Sequence, residues 1–258
     1  MGPIRFRLLF SIMCFLLFTN LSSQKNVENE IDIYTKKADF FFNSYEDVNA
    51  LEYAKKANDL AIKSGNSEKI SKSYFLIAVL LYEMDMEHES LEYAEKALLE
   101  KYVKSDYKIR AELYKLKANN YTMLNLYESA RRECRKVIKI ISPSDLDPVM
   151  IQELYGSYRD IGVTYYRELG SMDSLQKYSK IKLTILKNKP EKLVCISLSE
   201  YYIDEAGVFL TLKQTDSALS NINKSYALKK NMLIRLYSMS SILLMEIIIL
   251  KQKSIILP

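Results

Sequence analysis

Small and large apolar residues recur along this chain in two linked registers. The segments Ala50-Leu51-Glu52-Tyr53-Ala54-Lys55-Lys56-Ala57 and Ser90-Leu91-Glu92-Tyr93-Ala94-Glu95-Lys96-Ala97 are nearly identical and lie 40 residues apart. The same pattern, a small residue followed by a small or apolar one at positions +4 and +7, continues at Ala130, Cys134 and Val137. It is read again at Ser174, Tyr178 and Ile181, and at Ala218, Ile222 and Ser225, with spacings of 40, 40, 44 and 44. Twelve residues before each head stands another small residue: Ala38, Ala78, Ala118, Gly162 and Ala206. Four before those is always tyrosine (Tyr34, Tyr74, Tyr114, Tyr158, Tyr202), and three after comes a large apolar residue (Phe41, Leu81, Tyr121, Tyr165, Phe209). Positions i, i+4 and i+7 share one face of a helix, so each unit is predicted to be an A helix followed by a B helix.

Close packing of two antiparallel helices explains the distribution. A small residue on each lets the backbones approach within ~8–10 Å, and the aromatics fill the flanks. One hairpin cannot bury its apolar stripe alone, so neighbours must stack. Ser64-Gly65-Asn66, Ser142-Pro143-Ser144-Asp145, Gly170-Ser171 and Lys189-Pro190 supply turn signals at the required places. Ser67 and Ser105 are the expected N-caps.

These positions resemble the tetratricopeptide repeat, whose pattern runs aromatic, small, aromatic on the first helix and small, aromatic or apolar, small on the second. The resemblance covers about residues 30–230. The expected fold is all-α: an α-solenoid of about five such repeats plus a partial sixth, winding into a right-handed superhelix. Two departures stand out, the period of 40–44 instead of 34 and the missing proline at the end of most B helices. Both predict helices longer by one to two turns.

The resemblance also implies which A-helix positions face the concave side: one after the tyrosine, then one and four after the small residue. They give a candidate peptide-binding groove of Phe75, Tyr82, Lys115, Asn119, Arg159, Tyr166 and Ile203, with Val163, Gly207 and Leu210 at equivalent places. Aromatic and arginine side chains are the usual anchors of such surfaces. Phe75 and Tyr82 have a second reading, as core between neighbouring A helices. Lys115 and Asn119 match positions that some chaperone-binding members use to clamp a C-terminal carboxylate. Asp160, Glu200 and Asp204 then follow where that clamp needs amide or basic groups, so the clamp is not expected.

The termini change the picture. Arg5 and Arg7, the apolar run Leu8 to Phe18 and the small pair Ser22 and Ser23 read as a secretory signal peptide over residues 1–23, with an uncleaved anchor as the alternative. Export to the periplasm or cell envelope is the expectation. After Lys230 the A-helix signature returns once, at Tyr237, Ser241 and Leu244, and an apolar stretch follows through Leu250. Residues 231–258 are therefore expected to form an apolar C-terminal helix, an incomplete sixth repeat that self-associates or meets a membrane.

Composition adds little chemistry. The whole chain carries a net charge of +5; losing Arg5 and Arg7 leaves 35 basic against 32 acidic residues, too mild a surplus to imply nucleic acid. The single histidine, His88, stands between two glutamates at the start of a B helix, where a solvated role is expected. Cys134 and Cys195 fall in different repeats and are expected to be buried free thiols. No phosphate loop, metal spacing or nucleophile set is present, so neither an enzyme nor a cofactor is expected. The leading expectation is non-catalytic binding of a protein or peptide, as the sensor part of a regulator or signalling protein. A scaffold subunit of an envelope complex is the alternative.

Overall fold

The computed structural model describes residues 26–142, 144 and 147–231, and among these the regular structure is helical throughout. The expected signal peptide and the sixth-repeat helix from Tyr237 to Leu250 lie outside the described residues, as do Pro143 and Asp145. The chain divides into two compact units at Asn125 and Leu126. The first holds α1 (26–43), α2 (Asp47–Ser64), α3 (Ser67–Glu83), α4 (Glu87–Leu99), the short α5 (Lys101–Ser105) and α6 (Tyr107–Met123). The second holds α7 (Tyr127–Ile140), α8 (Pro148–Leu169), α9 (Met172–Lys187), α10 (Glu191–Thr211) and α11 (Thr215–Asn231).

In the first unit the small residues sit where the repeat requires them. Ala38 of α1 is fully buried with Ala50 and Ala54 of α2 against Ile77, Leu80 and Leu81 of α3. Ala78 of α3 joins Ala94 and Ala97 of α4 in a second cluster with Val103, Leu113 and Leu116. Aromatic rings fill the flanks: Tyr53 stacks between Tyr34 at 6.0 Å and Phe41 at 5.3 Å. Ser90 occupies the head position of α4 and uses its hydroxyl there. It donates to the Ala78 carbonyl at 2.7 Å and accepts from the Asn120 amide of α6 at 2.9 Å, so one buried side chain ties three helices.

The hairpin turns share a device that does not depend on glycine. Tyr45, Asp85, Asn125 and Lys213 all adopt left-handed backbone, with φ between 55° and 59°. Each donates its N–H three residues back, to Phe42, Tyr82, Thr122 and Leu210 respectively. After Tyr45, Asp85 and Lys213 the next residue closes a six-residue loop, as in Glu46 to Phe41 and Met86 to Leu81, which is a Schellman motif.

The fourth repeat differs, and it corrects the sequence register. Its left-handed residue is Gly170, and the N–H of Gly170 bonds four residues back to Tyr166, a simpler αL cap. The four other left-handed residues each lie five before the head of the B helix. Counting five from Gly170 puts the head of α9 at Leu175 instead of Ser174. Ser174, Leu175 and Ile181 are all half-buried, while Ser179, Lys182 and Leu186, which lie four, seven and eleven residues after Leu175, are buried. One residue is a rotation of about 100° on a helix, enough to turn a core row to the side. Gly162 on α8 compensates: a Cβ there would lie 3.0 Å from the Tyr178 Cβ and 3.6 Å from the Leu175 Cα. The ring pattern agrees, since Tyr178 lies between Tyr158 at 6.4 Å and Tyr165 at 6.2 Å, as Tyr53 lies between its two partners.

The long period has two physical sources. The A helices α8 and α10 run to 22 and 21 residues, against 17 for α3 and α6, as the spacing predicts. In the second repeat no helix is longer, and α5 fills the distance between α4 and α6 instead. The caps also move by one residue. Asn66, not Ser67, accepts from the N–H groups of Glu68 and Lys69, and Asp106, not Ser105, accepts from Lys108. Ser67 is taken up elsewhere, donating to Glu100 and accepting from the Tyr102 N–H. No helix among the described residues is long and apolar enough to cross a membrane.

Candidate functional site

In the first unit the predicted groove residues fall into two groups. Phe75 and Tyr82 are half-buried and pack against the Ala78, Ala94 and Leu113 cluster, as Phe42 packs against the cluster of Ala38 and Ala50. They contribute to the core between neighbouring helices and keep part of their surface outside it. Lys115 and Asn119, one turn apart on α6, bond to each other, Nζ to Oδ1 at 2.7 Å, with Lys115 almost wholly covered.

The second unit has a defined cleft. It is bounded by A helices α8 and α10 with B helix α9 between, and encloses about 180 Å³. Arg159, Val163 and Tyr166 come from α8 at helical spacing; Asp204, Gly207, Val208 and Thr211 come from one face of α10. Met172, Leu175, Ser179 and Lys182 line the α9 side. Four predicted concave positions, Arg159, Val163, Tyr166 and Gly207, therefore meet in one place. Ile203 does not; with Leu210 it packs on the cluster of Ala206, Ala218 and Ile222.

The charged end of the cleft is a bonded network. Lys182 is buried and donates to Asp204 Oδ2 at 3.0 Å, and the Tyr155 hydroxyl donates to the same oxygen at 2.7 Å. The Lys182 ammonium also lies 5.2 Å from the Tyr155 ring centre and 5.7 Å from that of Tyr201. Burial, then the charge of Asp204, pushes the Tyr155 phenol far above the ordinary tyrosine range, so it stays a donor. Arg159 Nε is 3.1 Å from Asp160 Oδ1. Burial works against the Arg159 charge, but Asp160 and Asp204 outweigh it and hold the guanidinium protonated. Glu205 accepts from the Ser179 hydroxyl. Burial and then Glu205 raise the neighbouring Tyr201 phenol.

Sequence reasoning missed Lys182 and Tyr155. Lys182 was hidden by the register: read from Ser174 it lies beside the inward row, and read from Leu175 it occupies the position of Ala57 and Ala97. Gly170 was the signal that would have found it. A second hollow, about 280 Å³ and mostly apolar, lies among α7, α8 and α9, lined by Ile138, Leu154, Tyr158, Ile181 and Ile185. His88 is exposed, and Cys134 and Cys195 are buried and not joined in a disulfide.

Comparison with solved structures agrees with the helix arrangement. The chain is similar to aspartyl phosphate phosphatase F from Bacillus subtilis at 18% identity and TM-score 0.69, over 89% of this chain and 58% of that one. The fold is that of a tetratricopeptide-like repeat protein. The repeat chain also matches the apo form of the quorum sensor NprR from B. thuringiensis, at 17% identity and TM-score 0.64, covering 93% of this chain and 68% of that one. It matches apo RapI at 19% identity and TM-score 0.61, over 79% and 71%. The repeat chain thus spans less than two thirds of the length of the phosphatase. No family model matches the sequence, and no curated protein does.

Proposed function

We propose that this repeat chain is a non-catalytic binding module that holds a protein or peptide on its A-helix faces, acting outside the cytoplasm as the sensory part of a regulator. The carrying observation is the cleft of the second unit, where four A-helix positions of the concave register converge beside a charge network anchored by the buried Lys182 and Tyr155. Such a network is rigid, and a rigid polar floor beside apolar walls is suited to recognition. The similarity to the quorum sensor NprR supports the proposed sensory role. One of the similar structures is a phosphatase, and the cleft here is read as a binding surface.

A peptide pool immobilised and probed with the purified chain tests the binding reading. Retention that falls when Tyr166 and Val163 are replaced by alanine supports it. Retention unchanged in that double variant, and abolished by a substitution on the opposite face of α8, would refute it. Export is tested separately, by N-terminal sequencing of the chain recovered from producing cells: a start near Ser23 or Gln24 fits the secretory reading, and an intact Met1 in the cytosolic fraction opposes it.

A further inference from the structure

We infer that the B-helix face of the second unit, formed by α7 and α9, docks an acidic amphipathic segment of a partner protein, with an aliphatic side chain of that segment seated in the hollow between them. This surface is separate from the A-helix cleft and gives the module a second point of contact.

The hollow has a cause in the sequence. Counted from the corrected head Leu175, Ile181 stands where the other four repeats carry Lys56, Lys96, Lys136 and Lys224. In the first two repeats that lysine covers a ring of its own helix: Lys56 lies 4.8 Å from the Tyr53 centre and Lys96 4.5 Å from that of Tyr93. In the fourth repeat a branched apolar side chain takes the place. With Ile185 one turn on and Ile138 of α7, it lines a recess floored by Leu154 and Tyr158 of α8. At about 280 Å³ the recess is smaller than the ~300–1,000 Å³ of small-molecule pockets, and it suits a single side chain of a larger partner.

Charge selects the rest of the segment. Lys177, Lys180 and Lys187 follow one another along the exposed stripe of α9, at steps of three and seven, and Lys139 is exposed on α7. Among the described residues none of these four has a carboxylate within ion-pair distance, and Lys180 itself lines the recess. The other cations of the two helices are taken: Arg131 by Glu128 and Glu168, Arg135 by Glu128, Arg132 and Lys136 by Glu133, and Lys182 by Asp204. On α8, Asp160 pairs with Arg159 at the cleft, and Glu153 is itself partnered. The one further carboxylate of α7 and α9 is Asp173, in the first turn of α9. A nucleic-acid backbone would meet the lysines and bring nothing to the isoleucines. An acidic amphipathic helix meets both at helical spacing.

Three labelled amphipathic peptides, titrated with the whole chain and read by fluorescence anisotropy, test this. The first carries leucines at i and i+4 flanked by glutamates; the second has lysines for the glutamates, and the third has serines for the leucines. The first is expected to bind about tenfold more tightly than either control, and to weaken as salt rises. Lys180→Glu with Lys187→Glu, at two exposed positions, should lose about tenfold. Ile181→Lys, which restores the residue of the other repeats, should lose as much while keeping the thermal transition of the parent. Tyr166→Ala, in the cleft, should change nothing. Equal affinity for the three peptides, binding of none, or unchanged affinity in the lysine and Ile181 variants overturns the inference. Loss in Tyr166→Ala alone also overturns it, by placing the peptide in the cleft, and leaves the proposed function standing. Tighter binding of phosphatidylglycerol vesicles or duplex DNA than of the first peptide, abolished by the same lysine reversals, overturns it in favour of a membrane or nucleic-acid surface.

Discussion

A Cβ placed on Gly162 would lie 3.0 Å from the Cβ of Tyr178, closer than side chains ordinarily come. Gly207, on the neighbouring A helix, has open space at the same point. Replacing a helix-interior glycine by alanine ordinarily gains about 1 kcal/mol. Gly207→Ala should show that gain as a higher denaturation midpoint. Gly162→Ala should not, because overpacking of ~1–3 kcal/mol offsets it. A Gly162→Ala variant as stable as Gly207→Ala would mean that α8 and α9 are not pressed together as described.

The left-handed turn residues make a second test. A non-glycine residue in this conformation costs roughly 1–2 kcal/mol relative to glycine. Tyr45 is almost fully solvent-exposed, so little else is lost on replacing it. Tyr45→Gly and Lys213→Gly are each expected to stabilise by about 1 kcal/mol, and Gly170→Ala to destabilise by a similar amount. Chemical denaturation of the three variants checks this, and a stabilising Gly170→Ala would contradict the turn geometry.

The Lys182–Asp204 pair should be costly to break and cheap to remove. Asp204→Asn leaves a buried ammonium without its carboxylate, a loss of ~3–5 kcal/mol for such pairs. Lys182→Met together with Asp204→Leu removes both charges and should recover most of the loss. Lys182→Met, Asp204→Leu and the double define a mutant cycle. Additive single effects would show that the pair is not coupled.

Ala118 is completely buried in α6 and holds the small position of the third A helix. Ala118→Leu should therefore overpack its surroundings and cost ~1–3 kcal/mol. An unchanged midpoint would count against the repeat register itself.

Much of this architecture could be read from the residues because its causes are local and repeated. Ala38, Ala78, Ala118 and Ala206 are buried as their spacing from the tyrosines demands, and the rings of Tyr34 and Phe41 meet Tyr53. The fourth repeat escaped because Ser174 looked like another small head residue. Its phase is set by a turn type, and turn type is decided by backbone hydrogen bonds that spacing alone does not reveal. The same slip concealed Lys182, which stands on the inward row only after the one-residue correction. The convergence of Arg159, Val163, Tyr166 and Gly207 was legible as a shared helical phase. The network behind them was not, because Tyr155 and Asp204 are 49 residues apart and meet only through packing.

The Ser90 hydroxyl sets a limit on how the first unit can come apart. In an array held only by nearest-neighbour apolar contacts, a terminal helix frays without consequence for the hairpin beneath it. Here α6 cannot lift away without withdrawing the Asn120 amide from Ser90, while Ser90 also holds the Ala78 carbonyl of α3. Opening at that edge is thus linked to the second hairpin, and amide exchange near Ala78 and Asn120 should proceed through one shared event, with protection rising and falling in step at both.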